Sequence, residues 1–148
     1  MQELRAAAPS LGVTLLAVEV AGPDDVDRAL TALAQERPEA LVVHPSVTVT
    51  PHGKRRVFEF TVQHRLPAIY TVAQMVETGG LLSYGASFPD LWRRAATYVD
   101  KILHGTKPAD LPVEQPMKFE LVINVHTAAQ MGLTMPPSVL YQADKVIK

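Results

Sequence analysis

The chain has 148 residues, 47% of them hydrophobic, and a formal net charge of −1 from 14 basic and 15 acidic side chains. That content supports one domain with a real core and excludes a disordered charged tail. The balanced charge excludes the basic footprint of a nucleic-acid partner and electrostatic docking on anionic lipid, and the absence of cysteine removes disulfides and thiolate metal sites.

Leu4, Ala7 and Ala8 share one face of a short helix over residues 2–8, which Pro9, Ser10 and Gly12 end. The start, Met1-Gln2-Glu3-Leu4-Arg5, lacks the charged-then-apolar layout of a secretory signal, so a chain complete as it stands is expected in the cytoplasm. No stretch approaches the roughly 20 apolar residues of a membrane span. Val13-Thr14-Leu15-Leu16-Ala17-Val18 is a nearly continuous apolar run of strand length. Gly22-Pro23-Asp24-Asp25 opens a helix with acids in its first turn, where the helix dipole favours them, and Val26, Leu30, Leu33 and Ala34 follow at helical spacing. Ala40-Leu41-Val42-Val43 is a second buried strand. The loop from His44 to Gly53 leads to a helix carrying Val57, Phe60 and Thr61, and Leu66-Pro67-Ala68-Ile69-Tyr70 is a third strand. Strands apolar on both faces, separated by amphipathic helices, predict a doubly wound, Rossmann-like α/β fold: a parallel sheet in three layers, with the strands that start at Val13, Ala40 and Leu66 adjacent.

The second half differs. Gly79-Gly80-Leu81-Leu82-Ser83-Tyr84-Gly85 reads as a short strand between glycine hinges. Phe88 to Leu103 is the best helix of the chain, with Leu91, Ala95, Val99 and Ile102 in register, and Gly105 ends it. Thr106 to Pro116, with three prolines and no periodicity, reads as an extended crossover. Phe119 to Ile123 is a strand, Thr127 to Met131 a short helix stopped by Gly132, and Pro136-Pro137-Ser138 starts a last helix through Ile147.

The ordered set Gly79-Gly80-Leu81-Leu82-Ser83-Tyr84-Gly85, Arg94-Ala95-Ala96, Lys101 to Pro116, Phe119 to Asn124, Thr127-Ala128, Gly132-Leu133 and Pro136-Pro137-Ser138, with the early Gly22-Pro23-Asp24-Asp25, resembles the ABC-transporter substrate-binding proteins of the tryptophan/tyrosine type. The resemblance implies the C-terminal part of a type I periplasmic-binding-protein fold, in which two lobes close on a small ligand. By it, residues 1–148 form a single domain in which 1–71 and 112–148 belong to the C-terminal lobe and 72–104 cross toward an N-terminal lobe. It also implies an ABC permease as partner, a periplasmic or extracellular location and no enzymatic activity. Nearly all of the N-terminal lobe is absent from the sequence, so the second expectation is a non-transporting remnant that serves as a structural or self-associating domain. The stripe on residues 88–103, with Trp92 beside it, predicts a homodimer.

Open α/β sheets bind ligands at the carboxyl ends of their strands. That rule selects Ser46 and Thr48 in the loop after the second strand and Tyr70 and Thr71 at the end of the third. Ser83 and Tyr84 join them from the glycine-flanked strand. Some have a plainer alternative: an ordinary turn and helix cap for Ser46 and Thr48, and packing in the interlobe core for Tyr84. No cofactor is expected. His44, His52, His64, His104 and His126 show no ligand spacing with a carboxylate, so no metal site is expected either. No Gly-x-Ser-x-Gly elbow surrounds Ser46, and no catalytic residue is assigned. Lys54-Arg55-Arg56 reads as a solvated helix start without a phosphate cradle.

Overall fold

A computed structural model describes residues 2–22, 25–48 and 50–148, with the side chains of Val47 and Thr48 left out. Pro23 and Asp24 of the predicted helix opening lie outside the described residues. The chain builds a five-stranded sheet in the order β1 (Leu41–Val43), β2 (Ala68–Tyr70), β3 (Leu82–Ala86), β4 (Phe119–Asn124) and β5 (Lys145–Ile147). β1, β2 and β3 are parallel neighbours, as are β4 and β5, whereas β4 runs antiparallel to β3. The sheet is therefore mixed and mostly parallel, and the single reversal follows the long excursion between residues 86 and 119.

Helices fill the connections. α1 (Gln2–Ala7) leads to a 3-10 turn at Pro9–Leu11; α2 (Val26–Glu36) precedes β1; α3 (Pro45–Thr48) and α4 (Pro51–Gln63) join β1 to β2; α5 (Ala73–Glu77) joins β2 to β3. α4 starts where the sequence signals it: Pro51 needs no N–H donor at the first turn, and the Thr50 side chain accepts the Gly53 N–H at 3.1 Å. α6 (Phe88–Leu103) has the predicted bounds. α7 (Val125–Gln130) is fastened by Asn124, whose side chain accepts the Thr127 N–H at 3.0 Å and donates to the Val76 carbonyl at 3.2 Å.

Two expectations fail. Val13–Val18 is not a strand: β1 and β2 are adjacent and parallel as predicted, but the first apolar run stays outside the sheet, with Val13, Leu15 and Leu16 exposed. Only Val18 and Val20, further along, reach the core. An apolar run becomes a strand when a partner takes its backbone groups, and no described strand lies beside this one. The last helix is also shorter than predicted. α8 (Pro137–Gln142) stops, and Lys145–Ile147 pairs with β4 instead. The Leu121 N–H donates to the Asp144 carboxylate at 2.8 Å and Asp144 N–H returns to the Leu121 carbonyl at 2.9 Å, which turns the chain into the sheet.

The core has two parts. α2 and α4 cover β1 and β2 through Val26, Leu30, Leu33, Val57, Val43 and Ala68, while Leu81, Ala128 and Met131 form a second cluster under Val62 and Leu82. On the outside of the first, Arg56 of α4 binds Asp27 of α2 and holds its carboxyl below the usual carboxylate range. Among the described residues no helix is long and apolar enough to cross a membrane.

Candidate functional site

Because β1, β2 and β3 are parallel, their carboxyl ends lie on one edge of the sheet, and β4, reversed relative to β3, begins there too. Four chain segments therefore meet at this edge: residues 44–46 after β1, Thr71 after β2, Tyr84 to Ala86 of β3 and Phe119 of β4. The edge is tied across β3 and β4 where the Ser87 N–H donates to the Lys118 carbonyl at 2.9 Å.

Of the six residues selected from sequence, Ser46, Thr71 and Tyr84 reach solvent on this edge. The Ser46 N–H donates to His44 Nδ1 at 3.3 Å, so that nitrogen is an acceptor and the Ser46 hydroxyl donates to it at 2.9 Å. The pair is local to one turn and both members are exposed. Thr71 and β3 are brought into direct backbone contact by Gly85. A Cβ at that position would stand 2.0 Å from the Thr71 carbonyl oxygen, a distance no side chain tolerates. Thr48 lies in α3, with its side chain outside the described residues.

Tyr70 and Ser83 point the other way. They are direct neighbours in the β2–β3 register, and each is only 1% exposed. The Tyr70 ring packs edge-on against Phe58 at 5.5 Å and lies against Gly80, where a Cβ would fall 2.8 Å from the ring. Among the described residues neither hydroxyl has a hydrogen-bond partner. Burial pushes the Tyr70 phenol up; Thr61 offsets little of this, since its own proton goes to the Phe58 carbonyl at 3.0 Å.

Phe119 was not selected from sequence, yet it stacks on Tyr84 with ring centroids 5.8 Å apart and planes 23° apart. The pairing depends on the β3–β4 register, which opposes Tyr84 to Leu121 and Ala86 to Phe119 and so puts both rings on one face of the ribbon. The only sequence signal was an aromatic residue opening a strand after a proline-rich crossover.

Beyond the edge, α6 leaves the sheet and buries no residue. It packs on its own crossover: Arg94 binds Glu114, which this contact holds below the usual carboxylate range, and the Tyr98 hydroxyl donates to the Pro112 carbonyl at 2.6 Å. Phe88, Trp92, Val99, Ile102 and Leu103 remain exposed, Trp92 at 64%.

Over residues 1–147 the sequence matches the family described as ABC transporter substrate binding protein. A conserved domain protein from Vibrio cholerae superimposes with a TM-score of 0.85 at 26% identity, covering 98% of this chain and 48% of that one. An ABC domain in complex with L-Trp from Streptococcus pneumoniae gives a TM-score of 0.85 at 29% identity, covering 99% of this chain and 49% of that one. A ligand-free, open substrate-binding protein with adhesive properties from Clostridium difficile shares the fold, with a TM-score of 0.68 at 18% identity over 99% of this chain and 48% of that one. The chain thus spans about half the length of these structures. No curated protein sequence matches it.

Proposed function

Because the chain belongs to the ABC transporter substrate binding protein family, we propose that it forms one wall of a solute-binding component whose ligand is a small, amino-acid-like molecule delivered to an ABC permease. The family is of a substrate-binding rather than catalytic type and is typically periplasmic or extracellular. The observation that carries the reading is the edge where Ser46, Thr71 and Tyr84 stay exposed at the carboxyl ends of three parallel strands. The L-Trp bound to the Streptococcus pneumoniae domain supports an amino acid as the ligand class. In this reading the sheet forms one lobe, with α5 and β3 built into it beside β2 and β4 rather than crossing as the resemblance implies for residues 72–104, and α6 alone reaches toward a second. That α6 packs on its own crossover rather than on the sheet supports its reaching away from this lobe. Tyr70 and Ser83 then serve the wall from behind, as filling beneath the edge.

Titration of the chain with a panel of amino acids, followed by amide chemical shifts, tests the reading. One wall without its opposite is expected to bind at about millimolar Kd. Loss of one hydrogen-bonding hydroxyl by Ser46→Ala or Thr71→Ala is expected to weaken binding roughly three- to tenfold. Absence of saturable shifts on the 44–46, Thr71 and Tyr84 segments for every amino acid sinks the proposal.

A second reading, a self-associating domain, is favoured by the open stripe on α6. Its exposed apolar side chains are well placed to pair across a two-fold axis. Sedimentation equilibrium should then give a dimer at micromolar concentration with blue-shifted Trp92 emission, and Trp92→Glu should return a monomer. A wild-type monomer with solvent-exposed indole emission removes this reading.

A further inference from the structure

We propose that His44 is a positioning residue and pH switch of the edge site: neutral, it turns the Ser46 oxygen into an acceptor for a ligand's ammonium group, and protonation cancels that. This rests on the solute-binding reading above and adds to it a residue, an orientation of the ligand and a regulation.

The Ser46 N–H donates to His44 Nδ1 at 3.3 Å, and the Ser46 hydroxyl lies 2.9 Å from the same nitrogen. A backbone N–H only donates, so Nδ1 carries a lone pair and the proton of the neutral ring is on Nε2. The hydroxyl proton is then committed to Nδ1. What Ser46 keeps for a ligand is lone pairs and no donor. Such an oxygen receives an ammonium group and has nothing to give a carboxylate. The β1–β2 register pairs Val43 with Tyr70, so the residues that follow, His44 and Thr71, leave the sheet side by side. The ammonium end of an amino acid therefore belongs at the β1 side of the edge.

Protonation reverses each part. An Nδ1–H cannot accept from the Ser46 N–H, which loses its partner, and it donates to the Ser46 oxygen instead. The hydroxyl proton is released outward, and a positive charge stands beside the position of the ammonium group, which it repels. His44 is exposed, so solvent supplies the proton. No neighbouring charge compensates. α4, which packs against α3, carries the other charged groups of this neighbourhood. Of these, His52 and Arg56 face Asp27, and Arg55 faces Glu59. Lys54 and His64 make no ion pair among the described residues, and His64 lies on Phe60. Tyr70, the titratable group of β2, is buried on the opposite face.

Ring-nitrogen and amide chemical shifts of the 148-residue chain test this between about pH 7.5 and about pH 5.5, the span in which imidazoles change charge. Without ligand, the His44 ring should carry its proton on Nε2 at the upper pH; a proton on Nδ1 overturns the switch. The probes are L-tryptophan, the amino acid held by the Streptococcus pneumoniae domain, tryptamine, which lacks the carboxylate, and indole-3-propionate, which lacks the amine. L-tryptophan and tryptamine are expected to bind roughly tenfold more weakly at the lower pH, the loss of one charge-assisted hydrogen bond. Indole-3-propionate should not weaken. His44→Asn keeps an acceptor for the Ser46 N–H and cannot take up a proton. At the lower pH it should therefore bind L-tryptophan roughly tenfold more tightly than the parent. His44→Gln takes its place if the amide spectrum shows a disturbed β1, with the same outcome expected. Equal affinities at the two pH values in the parent, a loss that survives the substitution, or an equal loss for indole-3-propionate overturns the switch and leaves the solute-binding reading standing. Saturation by none of the three probes also overturns the switch, and the amino-acid panel then decides the solute-binding reading by itself.

Discussion

Two apolar runs of similar composition end in different states. Leu41-Val42-Val43 is a strand; Val13-Thr14-Leu15-Leu16-Ala17-Val18 is extended chain outside the sheet, with most of its large side chains in solvent. Their local preferences do not differ enough to explain this. The difference is that β1 has β2 to receive its backbone groups, and the earlier run has no described strand beside it. A strand is a property of a pair, and hydrophobic pattern reports only one member.

That contrast is sharpest in substitution energies. Gly85→Ala forces a methyl group into the Thr71 carbonyl, where only backbone can give way, and should cost about 3 kcal/mol or more by urea unfolding. Val13→Ala and Leu15→Ala, in the unpaired run, should each cost less than about 0.5 kcal/mol. Comparable losses in the two places would mean that the run is paired in solution, and the contrast would disappear.

A smaller effect separates the paired region from an ideal core. Tyr70→Phe removes a buried hydroxyl that has no partner among the described residues and should raise stability by about 1 kcal/mol. Burial raises the phenol's pKa in the folded state, so folding resists ionisation. The stability tied to this group is whole below the unfolded tyrosine value and is lost as pH climbs above about 10. Thermal melts between neutral pH and alkaline pH should show that decline in the parent and a shallower one in Tyr70→Phe. A destabilised Phe variant would mean the hydroxyl has a partner, such as a buried water.

What could be read from the sequence follows the same division. α6 was legible to the residue, because its stripe, its proline at the second position and Gly105 are all local signals. The parallel pairing of β1 with β2 was legible because buried strands flank an amphipathic helix. The end of α8 was not: Lys145–Ile147 is a strand through its pairing with β4 and through Asp144, which meets Leu121 from 23 residues away. At the candidate site the edge was legible from the order of strands and helices. Which hydroxyls face it was not, because the pleat alternates and one residue of register exchanges the faces. Tyr70 and Ser83 fell on the buried side, Tyr84 on the open one, and Phe119 became visible only once β4 was laid against β3.

The sheet also ends differently at its two margins. The far margin, β5, carries Lys145, which is paired with Glu77, and Lys148 follows it, so charge discourages another chain from adding there. The near margin is β1, whose three residues are all aliphatic and whose Val42 side chain is exposed. Among the described residues no strand covers its outer flank. Where charge lines one margin and aliphatic side chains the other, a further strand would meet less resistance at β1 than at β5.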